Sequence, residues 1–152
     1  MPSRTILLVE DDPNDEHLTL RALRLSGVPN TVVVAHSGPE ALAFLCRTGP
    51  FDGRTSPDPL VVFVDNTLPG FAGVELVTAI REIPPLRHVP VVVFSGTCDQ
   101  SVVERCSRAG ANSFLEKPVD MTEYVRQVAA AARYWLTLNL SPCSLQRRAS
   151  AI

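Results

Sequence analysis

Four short runs of this chain, "TILLV" at 5–9, "TVVVA" at 31–35, "LVVFV" at 60–64 and "VVVF" at 91–94, are apolar and rich in β-branched residues, with no polar alternation. A strand of that kind has no face to give to water, so it belongs in a sheet covered on both sides, the situation of parallel sheets. Parallel strands cannot be joined by tight hairpins. Each needs a crossover of a dozen or more residues, usually a helix.

The segments between the runs supply those crossovers. In "EHLTLRALRL", Leu18, Ala22, Leu23 and Leu25 recur at the spacing of one helix face, and Asp12-Pro13 before it reads as an N-cap followed by proline at the first helical position. Similar helices are expected over 39–47, 74–82, 100–109 and 121–138. A weaker fifth run, "SFLE" at 113–116, follows the turn signal "AGAN". Five alternations of strand and helix predict an α/β flavodoxin-like fold. This is a doubly wound five-stranded parallel sheet of order 2-1-3-4-5 in a three-layer α/β/α sandwich, with right-handed crossovers. With 152 residues, 45% of them hydrophobic, the chain suits one domain, expected over 4–138, followed by a flexible tail at 139–152.

A formal charge of -2 offers no basic field for phosphate backbones or anionic lipid, which argues against nucleic-acid and membrane-surface roles. Four cysteines and three histidines show no metal-ligand or redox spacing, and they are read as non-ligands with reduced thiols. No apolar run reaches membrane-spanning length and the start does not have the layout of a secretory signal, so the expected location is cytoplasmic.

In doubly wound sheets, function gathers beyond the carboxyl ends of the strands, most of all where the strand order reverses. Polar residues stand at those ends here: Glu10, Asp11 and Asp12 after the first strand, Asp65 after the third, Ser95 after the fourth and Lys117 after the fifth. Like charges about 4 Å apart repel by roughly 4 kcal/mol at an effective dielectric of ~20. A divalent cation offsets that repulsion, and hard carboxylate ligands in this number suit Mg²⁺, or Mn²⁺ in its place. Asp12 is read mainly as a helix cap. The combination suggests phosphoryl chemistry, with Asp65 as nucleophile and Ser95 and Lys117 completing the hydrogen-bond and charge complement.

These residues resemble the receiver domain of two-component response regulators, with four separated motifs in the right order. The resemblance implies a metal-binding pair at Glu10 and Asp11 in "VEDD", with Asp11 the direct ligand. It places the phosphoacceptor at Asp65 in "VDNTLPG", with the backbone carbonyl of Thr67 on the metal. It also implies a switch hydroxyl at Ser95 in "VVVFSG", a phosphate-binding lysine at Lys117 in "FLEKP", a cis peptide bond before Pro118 and an aromatic switch position at Phe114. The chain departs from the commonest pattern at Ala72, where relatives carry an acid or polar residue, and at Phe114, which lacks a tyrosine's hydroxyl. The stretches "RTGPFDGRTSPDP", "LRHVPVVVFSG" and "RYWLTLN" are similar to small regulators paired with bacterial and cyanobacterial phytochrome kinases. The implied partner is therefore a sensor histidine kinase of the phytochrome type. Turnover is limited to self-phosphotransfer and autodephosphorylation, with output through protein contacts.

Rival readings are weaker. A phosphohydrolase resembling the haloacid dehalogenase group needs a second acid two residues after the nucleophile, where Thr67 stands. A flavin site would place phosphate against Glu10 and Asp11, which repel it. A receiver-like interaction module that is never phosphorylated remains as the alternative. In the last helix, Val125, Val128, Ala129, Ala132, Trp135 and Leu136 form an apolar stripe that points either back onto the domain or, the favoured reading, to a homodimer through the C-terminal helix face.

Overall fold

The computed structural model describes residues 4–97 and 99–140. Cys98, Cys143 and the expected tail from 141 onward lie outside the described residues. The elements are β1 (Thr5–Val9), α1 (Pro13–Leu25), β2 (Thr31–Ala35), α2 (Gly38–Cys46), β3 (Val61–Asp65), α3 (Gly73–Glu82), β4 (Val91–Ser95), α4 (Gln100–Ala109), β5 (Ser113–Glu116) and α5 (Met121–Arg133). Short 3₁₀ turns at Gly49–Phe51 and Pro84–Leu86 stand before β3 and β4, and α5 runs on into a π-helical turn, Tyr134–Leu138. All pairings are parallel and the strand order is β2-β1-β3-β4-β5, as the sequence predicts.

Of the non-alternating strands, β1, β3 and β4 are buried on both faces, while β2, at the edge of the sheet, is half-buried with Thr31 exposed. Leu7, Val9, Val62, Val64, Val91 and Val93 pack on one side with Phe44 of α2, Leu76 and Ile80 of α3 and Cys106 of α4. Ile6, Leu8, Val61, Phe63, Val92 and Phe94 pack on the other with Leu23 of α1 and Tyr124 and Val128 of α5. Successive side chains thus feed opposite layers, as the two-residue period of a strand requires. Within the second layer the two helices are joined by polar contacts as well. Tyr124 and Thr19 bring their hydroxyls to 2.7 Å between α5 and α1, while the Thr19 hydroxyl donates to the carbonyl of Asp15 at 2.8 Å.

The C-terminal helix differs from expectation. Val128, Ala129, Ala132 and Leu136 are buried in the domain, and Val125 and Trp135 pack half-buried against the same cluster. The stripe read as a dimer face therefore covers the protein's own sheet. The π-helical turn, closed by Asn139 N–H donating to Tyr134 O at 2.9 Å, carries Trp135 around to the amino ends of β4 and β5. There it lines a cleft with Pro90 and Asn112. A longer wrap than a straight helix would give is what consumes the extra apolar residues.

Candidate functional site

The β1–α1, β3–α3 and β5–α5 connections all leave the carboxyl edge of the sheet, and three of the expected residues meet there. Lys117 sends its ammonium to Asp65 Oδ2 at 2.8 Å and to Glu10 Oε2 at 3.2 Å. Its own backbone N–H donates to Ser95 O at 2.7 Å, which locks the end of β5 to the end of β4. Asp65 is the last residue of β3 and is buried. Its Oδ1 accepts from the Thr67 N–H at 2.9 Å and from the Thr67 hydroxyl at 3.0 Å. One carboxylate is thus clamped at both oxygens, a fixed orientation suited to a nucleophile.

A fourth residue, absent from the sequence reading, completes the group. Asp15 Oδ2 lies 2.9 Å from Lys117 Nζ. It sits three positions after Asp12, whose side chain caps α1 by accepting from Asn14 N and Asp15 N. Glu10, Asp15 and Asp65 each offer a carboxylate oxygen within 4.8 Å of the others. At sequence level an acid in the first turn of a helix reads as a dipole partner. Only the packing of α1 over the strand ends distinguishes Asp15 from its exposed neighbours.

Asp11 does not join them. Glu10 N–H donates to Ala35 O at 3.0 Å, continuing the β1–β2 ladder, so the next side chain leaves on the other side and Asp11 is exposed. Ser95 is buried, with its hydroxyl 3.1 Å from Thr97 Oγ1 and accepting from Thr97 N at 3.2 Å. Phe114 stands opposite Val93 and packs half-buried against the layer formed by α2, α3 and α4. Ala72 occupies the N-cap of α3 without a side-chain capping bond, as its methyl dictates. The expected cis bond before Pro118 is not present: every described peptide bond is trans. The trans form is intrinsically preferred by about 0.5–1 kcal/mol, and Asp120 just beyond it caps α5 through Thr122 N and Glu123 N.

The electrostatics follow from burial. Glu10 has its carboxyl pushed up to about 8, by removal from water first and by the neighbouring Asp65 charge second. Burial opposes ionisation of Asp65 too, but hydrogen bonds from Lys117 and Thr67 outweigh it and hold that carboxyl below its ordinary value. Burial likewise works against the Lys117 ammonium, and the bonds to Asp65 and Asp15 overcome it, so the lysine is held charged above its usual range. The charge therefore rests on Asp65 and the proton on Glu10. Three convergent carboxylates sharing one ammonium, one of them driven to keep a proton, are a donor set that fits a hard divalent cation.

Comparison with known proteins identifies the family of the fold. The model of the response regulator receiver domain matches residues 6–129. Response regulator Rcp1 of Synechocystis sp. (strain ATCC 27184 / PCC 6803 / Kazusa) is 29% identical over 143 residues, 94% of this chain and 96% of its own. Among solved structures, the phosphorylated cyanobacterial phytochrome response regulator RcpA superposes with a TM-score of 0.85 at 28% identity, covering 92% of this chain and 99% of its own. The Mn²⁺-bound form of Rcp1 gives 0.83 at 28%, covering 91% and 99%. With the fold, the strand order and the family match in agreement, this chain belongs to the response regulator receiver domain family, close to the phytochrome-associated regulators Rcp1 and RcpA.

Proposed function

We propose that this protein accepts a phosphoryl group from a sensor histidine kinase onto Asp65 and signals through protein contacts. The observation that carries the reading is the clamp on Asp65: Thr67 holds one carboxylate oxygen and Lys117 the other, at the carboxyl end of a buried strand. In the transfer, a carboxylate oxygen forms a bond to phosphorus as the donor's bond to phosphorus breaks, and the leaving group departs with the electron pair. Lys117 is placed to balance charge on the phosphoryl oxygens, and Ser95 can turn from Thr97 to donate to one of them. Glu10, Asp65 and the carbonyl of Thr67 would hold Mg²⁺, which supplies charge neutralisation for the transferred group, and Asp11, exposed next to Glu10, would join them only by turning inward.

Adding about two negative charges at Asp65 alters the surroundings of Ser95 and Phe114, and through them the face made by β4, α4, β5 and α5. A kinase of the phytochrome type is the proposed donor, on the strength of the similarity to Rcp1 and RcpA. The proposed setting is the cytoplasm. No helix among the described residues is long and apolar enough to cross a membrane. A homodimer would use Tyr134, Leu138 and Leu140, the apolar side chains left exposed at the end of the chain's described part. A wild-type protein that sediments as a monomer at high micromolar concentration, phosphorylated or not, removes it.

The central test is incubation with acetyl phosphate and Mg²⁺. We expect a base-labile phosphoryl adduct in the wild type and none in Asp65→Asn. A folded wild type that forms no adduct would favour an unphosphorylated interaction module instead.

A further inference from the structure

An ammonium group has three N–H bonds and no more, and Lys117 has committed all three, to Asp65 at 2.8 Å, Asp15 at 2.9 Å and Glu10 at 3.2 Å. A phosphoryl group arriving on Asp65 can be contacted by this lysine only after one of those bonds is given up. Glu10 is enclosed by protein and cannot exchange its partner for water without a large desolvation cost. Asp15 can, because its side chain is 37% exposed. Asp15 is also held in place by the backbone around it, its N–H donating to the Asp12 cap and its carbonyl accepting from Thr19.

We propose that Asp15 is a positioning residue that acts against the reaction. In the resting protein it holds back one N–H of Lys117: the N–H now on Asp65 Oδ2 can pass to the phosphoryl oxygens, and a second N–H reaches them only when Asp15 lets go. The proposal rests on the reading of Asp65 as phosphoacceptor and deepens it, since the tie between α1 and the β5–α5 connection becomes a brake on phosphorylation. The carboxylate further repels the incoming anion, so both its hydrogen bond and its charge oppose transfer. The bond changes at phosphorus remain those given above, and Asp15 takes no part in them.

The test is Asp15→Asn, which keeps the shape and removes the charge, with Asp15→Ala as the second variant. Acetyl phosphate is the donor because it is too small to depend on docking to α1. Phosphorylation of Asp65 should become about two- to fivefold faster in Asp15→Asn, the range expected for a partly exposed ion pair. Asp15 lies within reach of the cation donor set, so Mn²⁺ affinity of the unphosphorylated protein, read by titration calorimetry, separates the two roles: a residue that acts on Lys117 changes it by less than about threefold. A gain of rate is an effect that damage to the fold does not produce. A rate equal to or below wild type in both variants, or Mn²⁺ binding weakened by more than about tenfold, would overturn the role of Asp15, the latter by making it a metal ligand. A wild type that binds Mn²⁺ but forms no adduct overturns the phosphoacceptor reading itself.

Discussion

Replacing Gly38 by alanine is the most informative single change in the frame that holds the site. By helix propensity alone the substitution should stabilise, by up to about 1 kcal/mol for a glycine removed from a helix. The structure reverses the sign. A methyl at Gly38 would lie 2.0 Å from Phe71 Cδ1, 2.6 Å from Cε1 and 2.7 Å from Cγ. Ordinary carbon contact needs about 3.5–4.0 Å, so the ring must move by roughly 1.5 Å or more. Phe71 is half-buried against the layer of α2, α3 and α4, and overpacking of such a contact costs typically about 1–3 kcal/mol. The expected net effect is a loss of about 1–2 kcal/mol, because the propensity gain shrinks at the first helical position.

The displacement has a functional consequence. Phe71 lies in the connection between β3 and α3, the same connection whose Thr67 clamps Asp65. The base of that connection is fixed by the Gly73 N–H donating to Asn66 O at 3.1 Å, so movement of the ring is passed to the residues between. Urea denaturation of Gly38→Ala, Phe71→Leu and the double variant measures the clash. Phe71→Leu should cost less in the alanine background than in the wild type, with a coupling of about 1 kcal/mol or more, and phosphorylation should slow several-fold in Gly38→Ala alone. A Gly38→Ala protein as stable as wild type, or costs that simply add, would refute the packing argument.

Lys117→Met leaves the convergent carboxylates without their cation. In chelator the loss should be about 3–5 kcal/mol, the usual cost of breaking a buried pair, while saturating Mg²⁺ restores much of it and Mn²⁺ binds more tightly than to wild type; calorimetry showing weaker Mn²⁺ binding would contradict this. The Glu10 carboxyl, raised from 4.5 to about 8, keeps its proton in the folded state where the unfolded chain has lost it, so its contribution is complete below 4.5 and disappears as pH rises to about 8. Denaturation midpoints in chelator should therefore decline over that window, and Glu10→Gln should abolish the part of the slope that this residue supplies. Arg81 donates Nε to Gly110 O, Nη1 to Arg87 O and Val89 O, and Nη2 to Gly110 O and Asn112 Oδ1. Arg81→Met should cost about 3 kcal/mol, with Arg81→Lys recovering less than half because an ammonium lacks the fork of five donors. Neither change should alter the phosphorylation rate of folded molecules, since these contacts lie on the opposite edge of the sheet.

How far the sequence could be read depends on the range over which each signal acts. The strands declare themselves locally, because burial on both faces leaves no polar alternation, and their order follows from crossover rules that hardly depend on side chains. Glu10, Asp65 and Lys117 were legible for the same reason: each ends a strand, and strand ends share an edge. Asp15 was not, because its position is set by how α1 leans across that edge, a rotation that no spacing within "DDPNDE" specifies. The contact of Phe71 with Gly38 joins residues more than thirty positions apart and leaves no trace in either segment. The α5 stripe shows the limit most clearly. Its periodicity correctly marked which residues avoid water, yet periodicity cannot say whose surface they meet. The answer lay in the π-helical turn, which adds a residue per turn over Tyr134–Leu138 and swings Trp135 under the sheet's amino edge. An apolar stripe longer than a straight helix would need is thus evidence of burial first, and becomes evidence of a partner only when the domain's own surface has been accounted for.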